Sequence, residues 1–182
     1  MLFILITIVL IAIPVALYYW REYKLSTPRL QWPVLAPLIR LEYASDPPRM
    51  RGERNGRKVS VDIDQTGVRV AIVLERPSRL RVEVGPKDVV AARAGLVVTD
   101  PVAPRDGDFE ARFLARCSDK SAGLQLFDPV MRQRLLAQSA VDIRGQGVLV
   151  EWRVAALKDP DPAEDVIAVI AVIAEGMERF PA

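Results

Sequence analysis

Histidine is absent from this 182-residue chain, and cysteine occurs once, at Cys117. The first absence removes the side chain that titrates near neutral pH and is the commonest metal ligand. The second rules out an intrachain disulfide, and with it a disulfide-stapled secreted scaffold. Lysine is scarce as well: arginine outnumbers it twenty to five, the coding bias of a GC-rich, bacterial genome. Net charge is only +2, so the total demands no polyelectrolyte partner. Neither a G-x-x-x-x-G-K-[ST] nor a G-x-G-x-x-G loop occurs, which leaves the familiar nucleotide sites unsupported. No G-x-S-x-G elbow occurs either, and Ser60, Ser78, Ser118, Ser121 and Ser139 have no histidine to activate them. There is no internal repeat and no low-complexity run.

Charge is also missing from the first twenty residues. Leu2 to Trp20 are nineteen uncharged residues, and as a helix they would extend ~28 Å, close to the hydrocarbon thickness of a bilayer. Tyr18, Tyr19 and Trp20 form an aromatic end, with Arg21 and Lys24 directly after it. A cleaved signal peptide would want basic residues ahead of the apolar run and small residues at its end, and this stretch has neither. The expectation is a single transmembrane helix. Arg21, Lys24, Arg29 and Arg40 against Glu22 place its C-terminal end inside by the positive-inside rule. The expected location is therefore the inner (plasma) membrane, single-pass, with a short N-terminus outside and the domain in the cytoplasm; the alternative puts the domain outside the cytoplasm.

Residues 21–48 are expected to form a juxtamembrane stalk. Pro28, Pro33, Pro37, Pro47 and Pro48 interrupt helical stretches, though Trp32, Leu35, Leu38 and Ile39 could dock on the domain or lie at the headgroups. Residues 49–182 then form one globular domain. From Lys58 the apolar pattern has period two: Val59, Val61, Ile63; Val68, Val70, Ile72, Leu74; Leu80, Val82, Val84. Turns are expected at Gln65-Thr66-Gly67 and Arg76-Pro77-Ser78. Leu96 to Thr99 reads as a fourth strand and Phe109 to Cys117 as a fifth, with a hairpin turning at Gly145-Gln146-Gly147. Helices are expected near 119–138, opened by Asp119 or Ser118 and by Asp128-Pro129, and at 162–179, opened by a capping box Asp161-Pro162-Ala163-Glu164. The fold class is α+β: a mainly antiparallel sheet of five to seven strands with helices on one face. The alternative is a pleckstrin-homology-like barrel closed by the C-terminal helix.

That last helix is apolar on every side from Val166 to Ala174, too short a run to cross a bilayer. Val166, Val169, Ile170, Ile173 and Met177 should face the sheet. Ile167 and Ala174 lie off that stripe, so the sheet rim, the stalk or another molecule must cover them, and self-association or a protein partner through this helix follows as an expectation.

Two clusters invite a chemical role. Arg49, Arg51, Arg54, Arg57 and Lys58 form the densest charge, opposed only by Glu53. A solvated loop is the plain expectation, and contact with anionic lipid or a partner the functional one. Nucleic acid is disfavoured, because no aromatic residues are interleaved and no binding motif is present. Asp62-x-Asp64 on one strand face, and Asp106-Gly107-Asp108 in a turn, have the spacing of carboxylate metal ligands, although a full calcium loop is missing. Aspartate at turns is equally common for local hydrogen bonding. Cys117 falls on the apolar side of its strand, as a small core residue does. No cofactor is indicated.

Gly52-x-x-x-Gly56-Arg57-x-Val59 leading into an alternating strand, with Gly107-Asp108-Phe109 and Pro129 further on, resembles uncharacterised bacterial membrane-anchored domains over about residues 52–154. That family implies no activity. The expected function is a non-catalytic, membrane-tethered binding or scaffold module; the alternative is an aspartate-based, divalent-metal-dependent enzyme.

Overall fold

The computed structural model describes residues 13–15, 28–64, 67–93, 100–102 and 104–182. Apart from 13–15, which are helical, the expected membrane span lies outside these residues, as does the expected strand Leu96 to Thr99. Among the described residues no helix is long and apolar enough to cross a membrane.

The described order is α1 (28–38), β1 (Glu42–Ser45), β2 (Pro48–Arg54), β3 (Arg57–Ile63), β4 (Val68–Pro86), α2 (Lys87–Ala92), β5 (Asp100–Val102), α3 (Gly107–Arg112), β6 (Phe113–Cys117), α4 (Lys120–Leu126), α5 (Pro129–Leu136), β7 (Ile143–Val154) and α6 (Pro160–Glu178). Seven strands make one antiparallel sheet in the order β1-β2-β3-β4-β6-β5, with β7 along the other edge of β4. The sheet is open: β1 and β5 are its ends and do not pair with each other. The α+β expectation holds and the closed barrel does not.

Two expected turns are instead one bend. Arg76-Pro77-Ser78 does not end a strand, and Gly145-Gln146-Gly147 does not close a hairpin. Both segments run on, and Ser78 pairs with Gly147 between two register shifts of the β4–β7 ladder. Extra residues in β4 bulge there, and Gly147 takes φ 59°. Turn residues between two alternating segments look the same in sequence whether the chain reverses or only bends.

The stalk is also corrected. Residues 28–38 are helical, and 42–54 form the β1–β2 hairpin, so the expected stalk end at 48 falls inside it. The helix survives its prolines because Pro33 and Pro37 are four residues apart on the exposed side, while Trp32, Leu35, Ala36 and Ile39 are buried in the core. Trp32 Nε1 donates to the Leu157 carbonyl at 3.1 Å, which ties the helix to the segment before α6. The helix ends in a Schellman arrangement: Leu41 N–H reaches the Ala36 carbonyl (2.8 Å), Arg40 N–H reaches Pro37 (3.2 Å), and Arg40 takes φ 53°. A non-glycine residue in that role left no mark in the sequence.

The expected strand over 109–117 is half helix. The Asp106 carboxylate accepts the Phe109 N–H (3.2 Å) and caps α3, and only Phe113–Cys117 is extended. Phe109 and Phe113, four apart, fit either period, and their rings meet at 5.5 Å. The expected helices at 119–138 form as α4 and α5, capped by Asp119 and Asp128. The last helix begins two residues early, at Pro160. Its expected capping box does not form, because Asp159 is the N-cap and Asp161 lies within the first turn; the Glu164 carboxylate goes to Arg54.

Helix α6 lies on β4 and β7, flanked by α4 and α5. Val166, Val169, Ile170, Ile173 and Met177 are buried as expected, but so are Ile167 and Ala174. The chain covers them itself. Gly176 makes the flank close: a Cβ there would stand 2.3 Å from Leu126 Cδ2. Of the large apolar residues of α6, Val172 is the exposed one. Replacing Ile170 by Ala should therefore cost ~2–5 kcal/mol of a total near 5–15 kcal/mol. Ile167→Ser should destabilise on a similar scale, and Val172→Ala by less than ~0.5 kcal/mol. Denaturant unfolding of the three variants checks the order; an Ile170→Ala variant as stable as the parent would remove α6 from the core.

Candidate functional site

The basic cluster sits on the β2–β3 hairpin, whose turn is Asn55-Gly56. Both residues have positive φ, 51° and 79°, as a two-residue hairpin turn requires. Strand alternation then splits the cluster between the two faces of the sheet. Arg54 and Arg57 project toward α6. Arg54 Nη2 donates both to the Ile39 carbonyl at the end of α1 and to Glu164 in the first turns of α6. Arg57 makes a two-pronged contact with Glu178 at the other end of α6, Nε–Oε1 3.1 Å and Nη2–Oε2 2.6 Å. Glu178 also accepts the Glu75 N–H at 2.7 Å. These two arginines hold both ends of the last helix to the sheet.

Arg49, Arg51 and Lys58 occupy the opposite face, where Arg51 and Lys58 are exposed. In register, Arg49 stands beside Asp62, and Asp62 beside Arg69. Asp62 Oδ2 receives Arg69 Nη2 at 3.4 Å, and Asp64 Oδ2 lies 3.3 Å from Arg153 Nε. Asp64 Oδ1 also accepts the Gly67 N–H (3.0 Å) in the β3–β4 turn. Asp62 lies on β3 and Asp64 just past its end, and each carboxylate meets an arginine.

Asp106 caps α3 and receives Arg132 Nε at 2.8 Å. Arg132 and the Phe109 N–H hold its carboxyl below the usual carboxylate range. Asp108 is exposed in the first turn of α3. Among the described residues no group of three or more acidic, cysteine or histidine side chains gathers as a metal site. Cys117 is fully buried in β6, and that burial pushes its thiol up.

The same outer face carries groups that the sequence reading passed over. Glu83 is almost fully buried there, bonded to Arg93 (2.8 Å), which also reaches Asp142 (2.6 Å). Beside it, at the bend of β4 and β7, is a concavity of about 220 Å³ lined by Arg81, Glu83, Arg144, Gln146, Leu149 and Glu151. A second hollow, of about 200 Å³, lies where α5 meets α6, with Val130, Met131, Arg134 and Val172 on its wall. Apolar side chains are left exposed on α1, at Leu30, Val34 and Leu38. No sequence signal marks the first concavity, since its residues come from two strands more than sixty positions apart.

The glycines of the family resemblance have local duties. A Cβ on Gly52 would stand 2.6 Å from Leu41 Cδ2, and Gly56 supplies the positive φ of the turn.

The Arg57–Glu178 contact sets an acid limit. Arg57, with the Glu75 N–H in support, holds the Glu178 carboxyl below the ordinary value near ~4.3. Its contribution is complete above that value and is lost as pH falls through the lowered folded pKa. Glu178→Gln should cost roughly 1.5–3 kcal/mol at neutral pH. The gap from the parent should narrow below about pH 4. Unfolding measured from pH 7 to pH 3 tests this; a gap that does not change with pH would show that the carboxylate charge adds nothing.

No protein-family model matches the sequence, and no curated protein matches it. Among solved structures the fold is similar to the crystal structure of the mycobacterial trehalose monomycolate transport factor A, TtfA: TM-score 0.52 at 10% identity, covering 80% of this chain and 84% of that one.

Proposed function

We propose that this chain is a non-catalytic accessory module tethered to the inner membrane, with its α+β domain in the cytoplasm. The observation that carries this reading is how the charged side chains are used. Arg54 and Arg57, expected at lipid or a partner, hold α6, while Asp62, Asp64 and Asp106, three of the four aspartates expected as metal ligands, each stand at an arginine; Asp108, the fourth, is exposed on α3. A site poised for acid–base or metal chemistry needs carboxylates whose lone pairs face a substrate or cation. These three face guanidinium groups, which complete the fold instead.

Two further observations support the reading. The fold is similar to that of a trehalose monomycolate transport factor, which supports an accessory, transport-associated role. The uncharged stretch Leu2–Trp20, followed by Arg21 and Lys24, supplies the tether and its orientation. The hollow between α5 and α6 and the outer sheet face remain as contact surfaces for a protein partner.

Two measurements test the proposal together. A reporter fused after Ala182 should be active in the cytoplasm and silent outside. Calorimetric titration of the detergent-solubilised chain with magnesium, calcium and manganese should show no saturable heat. Saturable uptake abolished by Asp62→Ala or Asp108→Ala would turn the assignment to the metal-dependent enzyme, and a reporter active only outside would reverse the topology.

A further inference from the structure

The outward side of α1 is mainly apolar, with Arg29 and Gln31 the polar residues exposed beside it. Leu30, Pro33, Val34, Pro37 and Leu38 are all exposed, and the three large residues retain 76%, 66% and 61% of their surface. Trp32, Leu35, Ala36 and Ile39 fill the inward side. Such a helix presents apolar side chains both inward and outward, with Arg29 and Gln31 between them, a composition normally found where both sides are covered. The domain covers only one.

What covers the other side is indicated by the chain that precedes it. The nineteen uncharged residues Leu2–Trp20 end in Tyr-Tyr-Trp, residues that settle at the headgroup level of a bilayer. Pro28 follows Trp20 by eight residues, so its distance from that level cannot exceed about 28 Å. Arg21 and Lys24 lie in between, both suited to anionic headgroups. Pro37 brings no N–H to the Pro33 carbonyl on the exposed side, so this face keeps a polar group for which headgroup water is the natural partner.

We propose that the outward face of α1 lies in the headgroup region of the membrane, with Leu30, Val34 and Leu38 dipping toward the acyl chains. Helix α1 then serves as a platform that fixes the domain's orientation on the bilayer rather than leaving it to swing on a leash. Trp32, its bond to Leu157, and the Arg54 contact to Ile39 transmit that orientation to α6. The inference deepens the tethered-module reading and rests on it for the nearness of the bilayer.

The test uses the full chain in vesicles containing anionic phospholipid, some of it carrying a nitroxide near the headgroup. Single cysteines at Leu30, Val34 and Leu38 carry an environment-sensitive fluorophore; Cys117 is buried and does not compete. Val148→Cys, exposed on β7 (47%), is the reference, and Leu10→Cys reports the tether. Labels at 30, 34 and 38 should be quenched at least twofold more than the label at 148. If Leu10→Cys senses lipid while the three sites match position 148, the platform is refuted and the tether stands. If the three sites are shielded from water yet unquenched, a protein surface covers them and the bilayer assignment fails. Quenching at 30, 34 and 38 with the label at position 10 emitting as in water would uphold the platform and remove the transmembrane tether. No quenching at the three sites together with water-like emission at position 10 refutes both.

Discussion

Helix α6 cannot stand in water, and most of the architecture follows from covering it. The run Val166 to Ala174 is apolar on every side, so a flat sheet on one side would leave half of it wet. The chain answers with two surfaces. The paired strands β4 and β7 bend together at Ser78 and Gly147, while α4 and α5 close the flank. Ser78, nearly buried at that bend, donates its hydroxyl to the Met177 carbonyl at 2.7 Å near the end of α6. The C-terminal residues then return to the same bend, with Ala182 N–H on the Pro77 carbonyl at 3.0 Å. Bend, helix and tail are one packing solution.

Arginine holds that solution in place. A planar guanidinium can donate to two acceptors at once, and here it does so where elements of different kinds meet. Arg54 joins α1 to α6, Arg57 joins the hairpin to the end of α6, Arg93 joins Glu83 to Asp142, and Arg132 joins α5 to the cap of α3. Glu178 stands at a helix C-terminus, where the helix dipole disfavours a carboxylate, so the Arg57 contact there compensates a local cost. The surplus of arginine over lysine is put to structural use.

This use of charge separates the parts of the molecule that maintain the fold from those free for contact. The interior-facing arginines and the aspartates of the sheet are engaged within the chain. What remains outward is apolar on α1 and mixed in charge on the outer sheet face. The long β4–β7 ladder with its seated helix holds these outward surfaces rigidly.

The alternation of Val59, Val61, Val68, Val70, Ile72 and Val82, the Asp128-Pro129 start and the apolar run of α6 made the sheet, the late helices and the α+β class legible from residues alone. The hairpin at Asn55-Gly56 stood where the sequence led to the expectation of a loop: that pair favours the turn directly, but the density of arginine around it pointed away from paired strands. Other features were not written locally. Whether Arg76-Pro77-Ser78 reverses the chain or bends it depends on which strand lies alongside. Whether Pro33 and Pro37 break a helix depends on which side of it faces the core. Whether Arg54 and Arg57 meet lipid or hold α6 depends on partners more than a hundred residues away. The sequence by itself determined the periodicities, because they are properties of neighbouring residues. Only the tertiary structure decided how each turn, proline and charge is used, because the free energy of those choices resides in contacts between distant segments.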